Sequence, residues 1–135
     1  MSFSGQDSAR EAQIRAAAAA YGKAVDSGDD AALAAVHEPD AQIWHNTDGN
    51  SQTVEENLKL GAWLRRKMPD VAFTDVRVTV TEDGFVRRNV VTGTAPDGSR
   101  VRVPSCLVVE VSPAGKVAHV SEYLDSAGLA PLFAR

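Results

Sequence analysis

The apolar residues of the N-terminal part recur with the period of a helix. From Ser8 to about Asp26 they stand three and four positions apart, the spacing that gathers side chains on one helical face. Ser8-Ala9-Arg10-Glu11 has the form of a capping box, whose serine and glutamate satisfy free N–H groups at a helix start. The pattern predicts a disordered tail over residues 1–7 and then a long helix with this apolar stripe: Ile14, Ala17, Ala18, Tyr21, Ala24 and Val25.

The middle of the chain changes its period twice. A short helix is predicted from Asp30 to His37, because Pro39 cannot continue a helix. Alternation over residues 41–46 then predicts a strand, with Ile43 and His45 on one face and Gln42 and Trp44 on the other. A second capping box, Thr53 to Glu56, predicts a helix that runs to about Met68 and stops before Pro69.

The remainder of the chain is rich in strands. Apolar alternation separated by turn residues predicts four antiparallel strands, at residues 71–81, 85–95, 101–111 and 116–124, and a short helix over 125–133. In the first of these strands the apolar set moves from odd to even positions, which indicates a bulge near Thr74-Asp75. The order of elements predicts one α+β domain over residues 8–135, with helices covering one face of the sheet.

Composition narrows the class of function. The 135 residues suit one domain, and 44% of them are hydrophobic, enough for a core at this size. A formal net charge of -4 argues against a generic nucleic-acid or anionic-membrane surface, and no segment reaches the length of a membrane span. The single cysteine, Cys106, permits no internal disulfide and fits a reducing, cytoplasmic location. Three scattered histidines lack metal-ligand spacing, so we expect no metal and no cofactor.

Four segments make the chain familiar. They are YGKAVDSGDD (21–30), DAQIWHN (40–46), GTAPDG (93–98) and GKVAHVSEYLD (115–125). With this order of elements, the chain resembles the nuclear transport factor 2-like superfamily, and within it the SnoaL-like and ketosteroid-isomerase-like proteins. The resemblance implies a cone-shaped half-barrel, also called cystatin-like, in which a curved, mostly antiparallel sheet wraps over N-terminal helices and encloses a hydrophobic pocket. The outward side chains of the sheet, which include Trp44 and Tyr123, form a mixed face that suits a homodimer interface.

The resemblance implies positions for site residues. Tyr21 falls where ketosteroid isomerases keep their oxyanion-binding tyrosine, and His45 falls where they keep the carboxylate that moves the proton. Leu107 occupies the place of their second carboxylic acid. In the limonene-epoxide-hydrolase-like branch, Arg88 matches the arginine and Glu122 one of two catalytic carboxylates, while Val90 stands at the other.

Strand alternation then sorts the side chains by face. If His45, Arg88 and Glu122 face inward, their neighbours two positions away do so as well, and most of these are apolar, as a pocket wall should be. The expected substrate-binding residues, to which Trp63 adds a place at the pocket mouth, are Ile43, Trp63, Val90, Thr92, Leu107, Val120 and Leu124. The expected outward residues are Trp44, Arg87, Asn89, Cys106, Val108, Glu110, His119, Ser121 and Tyr123.

The candidate site therefore joins Tyr21, His45, Arg88 and Glu122. Histidine is a natural proton shuttle, a buried glutamate can orient it or act as the base, and a tyrosine can donate to an oxyanion. Arg88 can pair with Glu122 or bind a substrate carboxylate. We expect metal-free acid–base chemistry on a small, apolar, oxygenated ligand: isomerisation, dehydration or cyclisation of the polyketide cyclase kind.

Other interpretations of the same residues stay open. Tyr21 can be a core tyrosine, His45 can bond only to a neighbouring strand, and Arg88 with Glu122 can form a structural ion pair. The corresponding alternatives in function are a non-catalytic ligand-binding domain, an epoxide-hydrolase-like activation of water, and a structural subunit of a larger complex.

Overall fold

The computed structural model describes the main chain of residues 5–133 and the side chains from Ser8 onward. Three helices and six strands are followed by a short 3₁₀ helix. In chain order they are α1 (Gly5–Ser27), α2 (Asp30–Ala35), β1 (His37–His45), β2 (Ser51–Gln52), α3 (Val54–Lys67), β3 (Ala72–Val80), β4 (Gly84–Thr94), β5 (Arg100–Val111), β6 (Val117–Leu124) and the 3₁₀ helix (Ser126–Phe133).

The six strands form one curved, unclosed sheet with the order β2-β1-β6-β5-β4-β3. Strands β3 to β6 form the predicted antiparallel meander, and β1 extends the sheet by pairing parallel to β6. The predicted α+β class and the curved sheet over N-terminal helices are confirmed. The two-residue strand β2, which was not predicted, pairs with the end of β1 at Ile43 and Trp44.

Of the two predicted capping boxes, one is present at a helix start and the other is not. At α3 the capping box is present as predicted, since Thr53 Oγ1 accepts from Glu56 N and the Glu56 carboxylate accepts from Thr53 N. The first helix instead begins at Gly5, so Ser8 lies inside it and does not cap it. The alanine-rich sequence that follows favours helix strongly enough to extend the helix back through residues 5–7, which we had assigned to the tail. The rest of that predicted tail lies outside the described residues.

Strand β1 begins earlier than predicted. It starts at His37, which we had placed in the preceding helix, and it continues past Pro39. A register irregularity between His37 and Gln42 accommodates this segment, because proline has no N–H to donate to a sheet. From Ala41 onward the predicted alternation holds, with Ile43 and His45 buried and Gln42 exposed.

The predicted bulge in β3 is present. Its register against β4 shifts between Thr74 and Arg77, and Asp75 within this gap has a φ of 52°. A residue in the left-handed region adds an unpaired position and bends the strand, which curves this edge of the sheet.

The concave face of the sheet carries two separate apolar clusters. The first joins α1 to the sheet and includes Ile14, Tyr21 and Phe85. The second includes Met68 at the end of α3 and Leu132 of the 3₁₀ helix. Gly93 of β4 allows this second contact, since a Cβ there would lie 2.7 Å from the Met68 sulfur.

Candidate active site

One row of paired residues crosses the sheet on its concave face. His45 of β1 pairs with Glu122 of β6, Glu122 pairs with Leu107 of β5, and Leu107 pairs with Arg87 of β4. Directly paired residues on neighbouring strands point to the same face of a sheet. We call these residues, together with the Asn89–Ser105 pair of β4 and β5, the polar band.

His45 and Glu122 form the closest contact between ionisable groups in this band. The Nε2 atom of His45 lies 3.3 Å from Oε1 of Glu122. The contact with Glu122 raises the pKa of His45, against the opposing effect of burial, and the more distant charge of Asp48 adds to the increase. The His45 side chain is 10% exposed and that of Glu122 is 24% exposed, so the carboxylate is the more accessible of the two. The predicted proximity of these residues is observed.

Asn46 holds the ends of β1 and β6 together beside this pair. Its side-chain amide donates to the carbonyl of Leu124 and accepts from the Leu124 N–H, at 3.1 and 3.0 Å. Its own N–H donates to the carbonyl of Glu122. These bonds fix the relative position of the two strands at the residues that carry His45 and Glu122.

Tyr21 of α1 packs over the sheet near this row. Its ring lies edge-on to His37 and tilted against Phe85, at centroid distances of 6.0 and 6.1 Å. Burial strongly raises the pKa of Tyr21, the negative charge of Glu122 raises it further, and Arg87 opposes both effects. The hydroxyl therefore stays protonated and able to donate. His37 itself is buried, with its Nδ1 2.7 Å from the Leu33 carbonyl, and burial lowers its pKa.

The arginine of the band is Arg87, and the prediction that Arg88 faces inward is wrong. Arg87 is 3% exposed and lies against α1, where a Cβ at Gly22 would be only 2.9 Å from its Nη1 atom. Arg88 is exposed on the outer face, so it pairs neither with Glu122 nor with a ligand in the concave interior.

Because Arg87 and not Arg88 faces inward, the predicted orientation of two substrate-binding residues on β4 is also wrong. By strand alternation Val90, although buried, and Thr92 share the outer face with Arg88, whereas Arg87 and Asn89, which we expected to face outward, are buried on the inner face. The error has a physical cause. Strand β4 carries apolar residues at both odd and even positions, so its own alternation does not identify its inner face.

Three polar atoms of the band are buried without a partner. Among the described residues, Arg87 Nη2, Asn89 Oδ1 and Ser105 Oγ are inaccessible and accept or donate no hydrogen bond. The nearest acidic group to Arg87 is Asp26, at 3.9 Å from Nη2, which is beyond hydrogen-bond distance. Unpaired buried polar atoms are costly and call for an explanation. Asn89 and Ser105 are directly paired and Arg87 lies two positions from Asn89 on the same strand, so the three groups lie close together on the sheet and could bind an oxygenated ligand.

Sequence reasoning missed Arg87, Asn89 and Ser105, although β5 carries a usable signal. Most of its odd positions are apolar (Val101, Val103, Leu107 and Val109) and every odd position is buried, so Ser105 belongs to the inner face. In the hairpin between β4 and β5, odd-numbered residues pair with odd-numbered residues. Arg87 and Asn89 therefore lie on the same inner face as Leu107 and Ser105.

The remaining predicted site residues are apolar packing residues of the concave side. Ile43, Leu107 and Val120 are buried in the first apolar cluster, and Leu124 packs against the second. Trp63 also packs against the second cluster, where its ring stacks on Phe133 at a centroid distance of 5.4 Å.

The outer face contains a different set of side chains. Trp44 packs edge-on against Tyr123 at a centroid distance of 5.4 Å, and Val108 is exposed. His119 lies 3.7 Å from Glu110 on this face, outside the polar band. Cys106 is partly buried with its thiol free.

The described part of the chain, residues 5–133, shows neither a metal-binding cluster nor a membrane-spanning helix. Within this range, no group of three or more His, Cys, Asp or Glu side chains is placed to hold a metal ion. No helix in the same range is long and apolar enough to cross a membrane.

Comparison with protein families places the chain. The family model described as a SnoaL-like domain matches residues 17–120, which is most of the sequence. The chain belongs to the SnoaL-like family. This match includes Tyr21, His45, Arg87, Asn89 and Ser105 but ends two residues before Glu122. No curated protein matches the chain by sequence.

Solved structures share the fold of this SnoaL-like protein. IdmH of Streptomyces antibioticus, provisionally assigned as a polyketide cyclase, is 23% identical with a TM-score of 0.76, over 90% of this chain and 99% of that one. A provisionally assigned polyketide cyclase of Xanthomonas campestris is 18% identical with a TM-score of 0.77, over 90% and 98%. A Catenulispora acidiphila protein with a ketosteroid isomerase-like fold is 16% identical with a TM-score of 0.72, over 88% and 93%. At these identities the similarity concerns the fold.

Proposed function

We propose that this SnoaL-like protein is an enzyme that moves a proton beside the carbonyl group of a small, mainly apolar substrate. Isomerisation, cyclisation and dehydration all begin with this step. The observation that carries the proposal is the 3.3 Å contact between His45 and Glu122 in a band of buried polar groups bordered by apolar clusters.

The two residues divide the proton transfer between them. The proton-accepting form of the pair is neutral His45 beside ionised Glu122. Glu122 is the more exposed member, so its carboxylate removes the proton from the substrate carbon and passes it to Nε2 of His45. After the transfer, His45 is a protonated imidazolium beside the ionised Glu122 carboxylate. The attraction between these two charges is the physical reason that the pKa of His45 is raised.

Tyr21 supplies the complementary electrostatic contribution. Removal of the proton leaves negative charge on the carbonyl oxygen of the substrate. A buried tyrosine whose pKa is strongly raised keeps its proton and can donate it in a hydrogen bond to this oxyanion. Its burial beside Phe85 excludes water that would otherwise weaken the bond.

Solvent exchange at carbon tests this proposal without knowledge of the natural substrate. With 2-tetralone in deuterated water, we expect the protein to accelerate deuterium incorporation next to the carbonyl, as followed by NMR. His45→Gln and Glu122→Gln should each reduce the catalysed rate by about 10²- to 10⁴-fold, the usual contribution of general acid–base catalysis.

The outer face offers a matched control for that experiment. His119→Gln removes a histidine that also faces a glutamate, Glu110 at 3.7 Å, but lies outside the polar band. It should leave the exchange rate unchanged. Binding of 2-tetralone with no acceleration of exchange would contradict the proposal and favour a ligand-binding domain.

We also propose that two copies of the chain pair through the outer face. The support is the mixed character of this surface, where exposed Val108 and Tyr123 accompany the packed Trp44 among polar side chains. Aromatic and aliphatic side chains in a polar surround are typical of protein interfaces.

A further inference from the structure

A cleft between α1 and the β3 edge of the sheet leads to Arg87. It has a volume of about 800 Å³. Its walls are apolar, formed by Ala18 and Ala19 on one side and Val78 and Val80 on the other, and Val78 is 42% exposed. The remaining lining residues are Arg15, Gly22, Lys23, Asp26, Ser27 and Arg87.

Arg87 is only weakly paired within the protein. Its Nη2 atom is buried without a hydrogen bond among the described residues, and its ion-pair contact, with Asp26 at 3.9 Å, is long and involves a carboxylate that is mainly exposed to solvent. Leaving a buried guanidinium nitrogen without a hydrogen bond is expensive, so its position implies a partner that arrives from the cleft.

Gly22 makes room for this guanidinium at a cost to its own helix. Glycine inside a helix is less stable than alanine. A Cβ at position 22 would lie 2.9 Å from Arg87 Nη1, too close for the guanidinium to stay where it is. The chain thus bears a local penalty in α1 that preserves the position of Arg87.

The charge around the cleft selects the partner. Lys23 and Arg87 are cationic lining residues, Arg15 is already paired with Glu11 at 2.7 Å, and Asp26 is the one lining carboxylate, so the cleft keeps a small excess of positive charge that attracts anions. A planar guanidinium matches a carboxylate with two parallel hydrogen bonds, and the apolar walls match a hydrocarbon body.

We infer that Arg87 binds a carboxylate group of the substrate, which makes the substrate class apolar keto acids. This inference rests on the proposed function, because it assigns the carboxylate and the reacting carbon to one molecule. Arg87 and Glu122 are separated by Leu107 along one row of the sheet, and two strand spacings measure about 10 Å. Neither His45 nor Glu122 lines the cleft, so a substrate that reaches both groups must extend past Leu107 and carry its carboxylate several carbon atoms from the carbon that loses its proton.

A pair of probes that differ only in charge tests the inference. We expect 2-naphthoate to bind the full-length protein at least tenfold more tightly than 2-naphthamide in calorimetric titrations at pH 7.5. In Arg87→Gln, naphthoate affinity should fall at least tenfold and naphthamide affinity should change less than twofold. Arg88→Gln removes the neighbouring arginine on the outer face and should leave both affinities unchanged.

Equal affinity of the wild-type protein for the two probes would overturn the inference, as would equal losses in Arg87→Gln and Arg88→Gln. The comparison of probes on the wild-type protein needs no variant, so poor folding of Arg87→Gln leaves it decisive. Failure here is distinguishable from failure of the proposed function. Exchange of neutral 2-tetralone without a charge preference would mean an enzyme for neutral ketones, and a charge preference without exchange would mean a carboxylate-binding domain.

Discussion

Gly22 of α1 lies directly against the guanidinium of Arg87 of β4, with 2.9 Å between the position of a Cβ on the glycine and the Nη1 atom of the arginine. The two residues are distant in sequence, but the absence of a side chain at Gly22 explains how Arg87 can occupy its position. Arg87 can occupy the base of the cleft only because the helix presents no side chain at this position. Gly22 is therefore a positioning residue for the proposed carboxylate site.

Gly22→Ala separates this role from a contribution to stability. Alanine favours the helix by about 0.5–1 kcal/mol, while its methyl group displaces the end of a flexible side chain. We expect an unchanged or slightly higher unfolding midpoint, together with at least fivefold weaker binding of 2-naphthoate. Thermal unfolding and calorimetry on the same samples check both parts. Loss of stability with unchanged binding would show that Gly22 serves packing alone.

The pH dependence of exchange should follow the ionisation of His45. Only neutral His45 can receive a proton from Glu122, and contact with Glu122 raises the pKa of His45 above its ordinary value of 6.5. Catalysed exchange of 2-tetralone should therefore be low in acid and rise with pH through a midpoint above 6.5. Rates measured from pH 3 to 9 check this, and a midpoint near 4 would instead assign the limiting ionisation to a carboxylate acting alone.

Asn46→Ala should loosen the strand ends that carry the pair. The substitution removes two hydrogen bonds to Leu124, each worth about 0.5–1.5 kcal/mol, so we expect a loss of about 1–3 kcal/mol in the free energy of unfolding. Exchange activity should fall as well, because Glu122 is held by the same strand. Asn57→Ala on α3 is the control. It removes one long hydrogen bond, from the Asn57 side chain to that of Gln52 in β2, and should lower the free energy of unfolding in chemical denaturation by less than half as much.

Pairing through the outer face predicts a concentration-dependent dimer. Val108→Glu places a charge in the middle of that face and should give a monomer in sedimentation velocity. Leu60→Glu, at an equally exposed apolar position on α3, should remain dimeric. A wild-type monomer at all concentrations, or dissociation by Leu60→Glu alone, would exclude this interface.

The sequence predicted the architecture well because most elements carry two agreeing signals. The α3 helix has both a helical apolar period and the Thr53–Glu56 capping box, and in β5 most odd positions are apolar and all of them are buried. The bulge in β3 was visible as a change of parity, which the backbone of Asp75 confirms. The family segments pointed to the same curved, mostly antiparallel sheet, whereas the parallel pairing of β1 with β6 was not predicted.

The inner face of β4 could not be predicted from β4 alone. Its apolar residues occupy both parities, so placing Arg88 inward appeared as reasonable as placing Arg87 inward. Only the pairing with β5 decides between them, and that is a tertiary constraint. His45 and Glu122 could be predicted together because each lies in a strand whose other inward residues, such as Ile43 and Val120, are clearly apolar.

The central claim is that His45 and Glu122 act as one proton-transfer pair, and an NMR titration of His45 tests it most directly. In the wild-type protein the pKa of His45 should lie above 6.5, and in Glu122→Gln it should fall, because its main stabilising partner is gone while burial remains. A His45 pKa at its ordinary value in both proteins would contradict the account, since the two side chains would then not be coupled in solution.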